Sequence, residues 1–305
     1  MHTVVAFGPL DEEIVTGALG DGVRFVAEPT VDDLAAADGA IVRANVTIDA
    51  AVLDTMPSLR VIARTGVGTE RVDVAEANRR GIPVVITPGS NTNAVAEGAL
   101  AMALHLTKNL GQLTALVRDD RWTERDAYPV GDIDGSTVGI IGWGRIGRRF
   151  GELAGALGAH VIAFDPVADI PAETRVATLE ELLKRSDIVS LHAPLVESTH
   201  HLINGTSLAS VKPGAVVINC SRGPLIDLDA VHRALTEGRI AGLALDVFDE
   251  EPALHHPVMD DPRVVLTPHV MGLSRRAAAQ TFHDAAVGVR DVLDGREPAA
   301  VAVPS

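Results

Sequence analysis

The chain carries a single cysteine, Cys220. An intrachain disulfide is excluded, and a reducing compartment is the simple expectation. Positive charge is also scarce. Lys and Arg number 26 against 41 Asp and Glu, a formal net charge of −15. A chain of that sign offers no broad cationic surface to nucleic-acid phosphates or to an anionic membrane. An anionic small molecule must instead be met by a local group of cations, against the average field. No apolar run reaches the ~20 residues of a membrane span. The first residues, MHTVVAFGPLDEE, have neither the basic start nor the long apolar core of a secretory signal. Low-complexity linkers and strict repeats are missing as well. The expectation is a soluble, cytoplasmic protein with neither a nucleic-acid nor a membrane partner.

What is present is alternation. The 305 residues are 47% apolar, enough for two domains with their own cores. Short β-branched runs (TVVAF, AIVR, RVIAR, PVVI) are separated by Ala/Leu/Glu-rich helical segments. A long helix-like stretch follows, NAVAEGALAMALHLTKNLGQLTALV, and then the alternation restarts with STVGIIG, HVIAFD, DIVSLH, AVVINC, GLALDVF and RVVLTPH. Strands alternating with helices imply right-handed βαβ units and parallel sheets. Their continuously apolar character fits sheets covered on both faces. The fold class read from this pattern is α/β, with one stack of βαβ units before the long helix and one after it. The last helical segment, SRRAAAQTFHDAAVGVRDVLDG, is expected to cross back onto the first domain.

The stretch TVGIIGWGRIGRRF places Gly142, Gly144 and Gly147 in a Gly-x-Gly-x-x-Gly spacing between an apolar strand and a helix-forming run. The three glycines permit a tight turn, a close approach of backbone to pyrophosphate, and helix-on-strand packing. The helix start then offers N–H donors to phosphate. A second strand ends at Asp165, where a carboxylate can accept from both adenine-ribose hydroxyls and repel a 2′-phosphate. The cofactor expected is NAD. The competing reading of Asp165 is a loop cap before Pro166.

Three later strands run into polar residues: INCSRG, ALDVFDEEP and VVLTPHV. Their candidates are Arg222, Glu251 and His269. A nicotinamide transfers hydride, and the protein must handle the substrate carbonyl. That chemistry needs a proton donor, which suits histidine, and a fixed cation for carboxylate and carbonyl oxygens, which suits a guanidinium. A carboxylate that orients the imidazole suits glutamate. Spacing alone allows these three to meet without requiring it.

In order, the motifs GVGTERVD, NTNAVAE, GIIGWGRIG, LHAPL, INCSRGPLID, ALDVFDEEP and TPHV cover nearly the whole chain. Together they resemble the D-isomer-specific 2-hydroxyacid dehydrogenases, the family that includes D-3-phosphoglycerate dehydrogenase. The resemblance implies two Rossmann-like domains with parallel sheets and an active site in the interdomain cleft. A substrate-binding domain would comprise residues 1–97 and 276–305, and an NAD-binding domain residues 98–275. No further regulatory domain is expected. The implied activity is NAD(H)-dependent interconversion of a 2-oxo acid and a D-2-hydroxy acid, by a homodimer formed through the cofactor domain. Arg222 would bind substrate, His269 would donate the proton and Glu251 would partner it. The backbone of Val67 and Gly68 would hold the substrate carboxylate. Arg145 and Ile146 would lie at the pyrophosphate, and His192, Pro194, Cys220 and Asp246 would line the cofactor.

The chain departs from the family pattern at Glu70 and Arg71, where Asp-Asn is usual, and at Met271, where glycine is usual. The loop VRANVTI keeps Arg43, assigned to substrate binding, but lacks the serine and threonine–lysine pattern of phosphoglycerate dehydrogenases. That questions phosphoglycerate itself. Arg43, Arg64 and Arg71 could meet an anionic tail such as phosphate or phosphonate, or be surface cations. Two other readings use the same scaffold: a phosphite-type anion dehydrogenase, and an NAD-sensing protein without turnover. Glu251 argues against formate dehydrogenases, which carry glutamine there. No metal is expected, because the adjacent pairs His200–His201 and His255–His256 should point apart and lack a ligand framework. Cys220 reads as a packed thiol and Trp122 as a packing anchor.

Overall fold

The computed structural model describes residues 1–43 and 45–303; Ala44, in the loop Val42–Ile48, and the last two residues lie outside that set. Among the described residues the chain divides into two compact units, one built from Met1–Asn91 with the chain from Leu273 onward, the other from Thr92–Gly272.

The strands of the first unit are β1 (His2–Phe7), β2 (Val23–Val26), β3 (Gly39–Val42), β4 (Val61–Arg64) and β5 (Val84–Val85), in the order β2-β1-β3-β4-β5. All four pairings are parallel. Every residue of β3 and β4 is buried, which is why both are apolar up to the arginine, Arg64, that closes β4. The helix Arg275–Leu293 returns to this unit and sets Phe282, Ala285, Ala286, Val289 and Leu293 against Val4, Ile41, Val61 and Val85. Its approach depends on small residues: a Cβ at Gly39 would fall 2.9 Å from Val289 Cγ1, and one at Gly288 2.5 Å from Val85 Cγ1. The chain end adds an antiparallel bridge, Val301 to Val85, along the β5 edge.

The strands of the second unit are β6 (Thr137–Ile141), β7 (His160–Phe164), β8 (Ile188–Leu191), β9 (Ala215–Asn219), β10 (Ile240–Leu245) and β11 (Val264–Leu266). They form one parallel sheet in the order β11-β10-β9-β8-β6-β7. The helices Thr92–Thr107 and Arg145–Ala156 pack on one face around Ile140, Phe150, Ile188 and Ile218. The other face carries Leu182, Leu183, Val217, Val231 and Leu243. Strand order reverses at β6, between β7 and β8, so a crevice opens beyond their carboxyl ends. Both units are Rossmann-like α/β structures.

The long helical stretch is two helices, Thr92–Thr107 and Leu110–Arg118. Asn109 separates them at φ +50°, a left-handed conformation that asparagine tolerates, and its Nδ2 donates to the Pro129 carbonyl at 2.5 Å.

Candidate active site

At the end of β6 the three glycines do three different jobs. Gly142 turns the chain at φ +95°, and a Cβ there would fall 2.6 Å from the Ala193 nitrogen, so β6 and the chain after β8 nearly touch. Gly144 caps the helix Arg145–Ala156 and has open space beside it. A side chain at Gly147 would overlap the Gly142 carbonyl. The first bond of that helix runs from Arg148 N to Gly144 O, so the N–H groups of Arg145, Ile146 and Gly147 precede it and have no intrahelical acceptor. Open backbone at Gly144 beside N–H groups without an intrahelical acceptor fits a dinucleotide pyrophosphate.

Asp165 follows β7 and braces this loop. Its Oδ2 accepts from Trp143 N at 2.8 Å, and Oδ1 accepts from Val167 N and Ala168 N, each at 2.9 Å. Burial pushes the Asp165 carboxyl up, but these three N–H donors and Arg148 outweigh it and hold it below its ordinary range. One lone pair of Oδ2 remains for a ribose hydroxyl, where the sequence reading asked for two hydroxyls. The loop cap and the ribose acceptor are thus compatible roles for one carboxylate.

His192 is drawn to the crevice by its N–H bond to Ile141 O, 2.7 Å. Its Nε2 lies 2.9 Å from Ser190 Oγ and its ring packs 5.2 Å from the Phe150 ring. Burial pushes its pKa down to about 3, so the imidazole is neutral, and among the described residues its buried Nδ1 has no partner. Pro194 is exposed and its carbonyl accepts from Thr199 Oγ1. Cys220 turns inward, with Sγ 3.6 Å from Met102 Sδ, and burial raises its thiol to about 12. Only its backbone is available to line a cofactor.

The turn after β9 is held by a buried asparagine. Asn219 Oδ1 accepts from Ser221 N and its Nδ2 donates to Arg222 O, 3.0 and 2.8 Å. The Arg222 guanidinium donates to Ser221 O at 2.7 Å. Glycine follows because a Cβ at Gly223 would overlap the main chain of Phe248. That main chain in turn holds Glu251 beside His269. Phe248 N donates to Glu251 Oε1 at 3.2 Å, and Glu251 Oε2 lies 2.7 Å from His269 Nδ1. The Arg222 turn, Glu251 and His269 therefore share one scaffold. With Nδ1 on Glu251, Nε2 is the imidazole nitrogen left for another partner, on a side chain 46% exposed.

His269 sits at φ +54°, unfavourable for a residue with a Cβ. Asp246, 2% exposed, holds it there. Asp246 Oδ1 accepts from Thr267 Oγ1 and Val270 N, and Oδ2 from Met271 N, at 2.6, 2.9 and 3.1 Å. Asn219 and this bracing by Asp246 were not anticipated. The available signal was a polar residue closing each of two buried strands.

The first unit presents its candidates at the carboxyl ends of its own strands. Arg43 follows β3, donates its N–H to Phe7 O, and stacks its guanidinium 5.2 Å over the Phe282 ring. Its stem lies against Gly8, where a Cβ would come within 2.9 Å of Arg43 Cγ, and burial lowers its pKa. Arg64 ends β4, 7% exposed, with Nη1 on Thr65 O. Gly66, at φ +136°, then turns Val67 outward, half exposed, with Gly68 next. Arg71 lies in a segment stapled by Ile48 N to Arg71 O, 2.8 Å.

Two expectations are corrected. His200 and His201 do not point apart: their rings stack at 4.0 Å, because His201 adopts φ +48°. Trp122 is not a buried packing anchor; its ring has the Arg125 guanidinium 6.0 Å from its centroid. It is 61% exposed, in a short turn that buries no residue. His255 and His256 do separate, onto Asp260 and Asp229. Among the described residues no cluster of His, Cys, Asp or Glu could hold a metal ion, and no helix is long and apolar enough to cross a membrane.

Residues 100–271 match the family model of the D-isomer specific 2-hydroxyacid dehydrogenase, NAD binding domain. The D-3-phosphoglycerate dehydrogenase of Mycobacterium tuberculosis is 39% identical over 289 residues, covering 91% of this chain and 54% of that protein. The D-3-phosphoglycerate dehydrogenase of Methanocaldococcus jannaschii is 33% identical, covering 97% and 58%. The chain spans about half the length of the curated relatives it matches. The structure of D-lactate dehydrogenase from Aquifex aeolicus, complexed with NAD and lactic acid, superposes with a TM-score of 0.83 at 27% identity over 96% of each chain. Sequence and structure converge, and the chain belongs to the D-isomer specific 2-hydroxyacid dehydrogenase family, with the family's NAD-binding domain in its second unit.

Proposed function

We propose that this chain is an NAD(H)-dependent dehydrogenase that interconverts a 2-oxo acid and a D-2-hydroxy acid. The observation that carries the reading is the 2.7 Å contact between His269 Nδ1 and Glu251, on the same scaffold as the Arg222 turn. Bound NADH supplies the hydride. The Arg222 guanidinium meets the substrate carboxylate and the carbonyl oxygen that gains negative charge. His269 delivers a proton from Nε2 to that oxygen, while Glu251 fixes the ring through Nδ1. In the first unit, Val67 and Gly68 are assigned to the substrate carboxylate. Arg43, half-buried on Phe282, is assigned to the substrate's far end, which favours 2-oxo acids with a second anionic group.

The test is NADH oxidation by the purified protein against a panel of 2-oxo acids, including phosphonopyruvate and 3-phosphohydroxypyruvate, with phosphite and NAD as a separate arm. Reduction of a 2-oxo acid to its D-2-hydroxy product is the expected result. NADH binding without turnover of any member would favour a cofactor-sensing protein, and turnover of phosphite alone would favour the anion dehydrogenase.

Asp165 should set the preference for NADH, but not as a detachable selector. In Asp165→Ser the Trp143 N–H loses its acceptor, so NADH binding should weaken about tenfold or more while the preference over NADPH narrows. Arg148 is the cation already near that position. Fluorescence titrations with both cofactors check this, and an unchanged NADH-to-NADPH ratio would refute the ribose assignment.

The active form we assign is a cytoplasmic homodimer. Leu110, Val117, Trp122 and Val130 are large, apolar and exposed, and lie within one 21-residue stretch of chain in the second unit. Exposed apolar side chains concentrated in one segment are what a partner surface would cover. Trp122→Asp should convert the dimer to a monomer in light scattering. A wild-type monomer, or a variant of unchanged mass, would remove this interface.

A further inference from the structure

Gly98 lies inside the helix Thr92–Thr107, at a buried position on the face that carries Val95, Ala99 and Met102. Glycine is the poorest helix former after proline, so its presence there calls for a local cause. The cause is Met271. A Cβ at Gly98 would overlap Met271 Sδ and fall 2.8 Å from both Met271 Cβ and Cγ. The methionine that replaces the family's usual glycine two residues after His269 thus occupies the space that Gly98 leaves.

We propose that Gly98 and Met271 form an interlocked pair on which the seating of His269 depends, so that both are positioning residues for the reaction. The inference rests on the reading of His269 as proton donor. Rotating the methionine side chain could move Sδ and Cγ, but not Cβ, whose place is set by the Met271 backbone. A methyl at position 98 therefore pushes on the main chain of residues 270–272. That main chain is held by the Val270 N and Met271 N bonds to Asp246, at 2.9 and 3.1 Å. Loosening them releases the left-handed turn at His269 and the 2.7 Å contact of Nδ1 with Glu251. Displacements of this kind, about 1 Å, cost ~10²-fold in rate when the displaced group is reacting.

The pairing makes an asymmetric prediction. Gly98→Ala should lower kcat by ~10²-fold, with NADH affinity in the substrate-free protein changed less than about twofold. Met271→Gly alone should lower kcat about threefold to tenfold, because glycine loosens the turn. Gly98→Ala combined with Met271→Gly should match Met271→Gly alone, a non-additive rescue. Gly98→Ala combined with Met271→Ala should not be rescued, because the close Cβ contact persists. If Gly98→Ala does not fold, the two double variants carry the comparison. Hydrogen exchange at the Val270 and Met271 amides reads the seating without turnover. It should be fast in Gly98→Ala and slow again in the glycine double variant. Equal rescue by alanine and glycine, or normal kcat in Gly98→Ala, would overturn the proposal. So would faster exchange without loss of kcat in a protein that His269→Ala inactivates. If exchange follows the pattern while His269→Ala itself turns over normally, the proton-donor reading fails, and with it the claim that the pair serves catalysis.

Discussion

If the proposed reaction is right, His269→Ala should lower the rate of 2-oxo acid reduction by ~10²-fold or more and leave NADH binding nearly unchanged. The hydride and the proton reach the carbonyl in the same reduction, so removing the donor leaves an alkoxide to be quenched by water. Nδ1 faces Glu251 at 2.7 Å, so in the proposed reaction Nε2 is the nitrogen left to meet substrate. Glu251 is itself tied, through Oε1, to Phe248 N. Glu251→Gln retains an acceptor for the Nδ1 proton but removes the charge, so it should cost less than His269→Ala. Added imidazole should restore part of the activity of His269→Ala and none to Glu251→Gln, because only the first variant leaves room for the ring. Steady-state kinetics on the substrate found by the panel, with NADH titrations, check all three. Wild-type turnover in His269→Ala would dispose of the assignment.

The legible parts of this molecule are those in which one residue type satisfies one local constraint. Unbroken apolar runs such as AIV and VIA announce strands covered on both faces, and β3 and β4 are buried at every position. The glycines were readable for the same reason: a positive φ at Gly142, open space at Gly144 and contact at Gly147 are each conditions that a Cβ violates. What could not be read is how distant turns meet. Arg222, Glu251 and His269 were candidates as polar residues after apolar strands. Their common scaffold depends on Gly223 against Phe248 and on the three bonds that Asp246 accepts. Neither leaves a periodic trace. The break at Asn109 escaped because an asparagine within a helical run is only a weak stop signal. Trp122 was misread because a large aromatic suggests a core, and nothing local tells whether the chain itself supplies one.

Arg222→Lys should raise the apparent KM and lower kcat together, by about tenfold each, and leave NADH affinity alone. Lysine keeps the charge but presents a point, not a planar fork, so a substrate carboxylate and a carbonyl oxygen cannot both be met in one geometry. The carboxylate contact exists in the ground state and appears in KM. The carbonyl contact strengthens as negative charge develops and appears in kcat. The structure adds a reason why lysine should also lose its aim. The arginine is oriented by its own turn, with Nη1 on Ser221 O at 2.7 Å and its carbonyl held by Asn219 Nδ2 at 2.8 Å. Lysine would keep the second bond, which is made by the backbone, and lose the fixed orientation of the first. Asn219→Ala is the complementary variant: the guanidinium remains, but the turn that aims it loses both of its side-chain bonds. It should lower kcat more than it raises KM, since a misdirected guanidinium can still attract a carboxylate at longer range. In the proposed site NADH is held by the glycine loop and the start of the helix Arg145–Ala156, so its binding should not follow either variant. Weak NADH binding with normal oxo-acid kinetics in Arg222→Lys would assign the residue to the cofactor instead, and the proposed division of labour would be wrong.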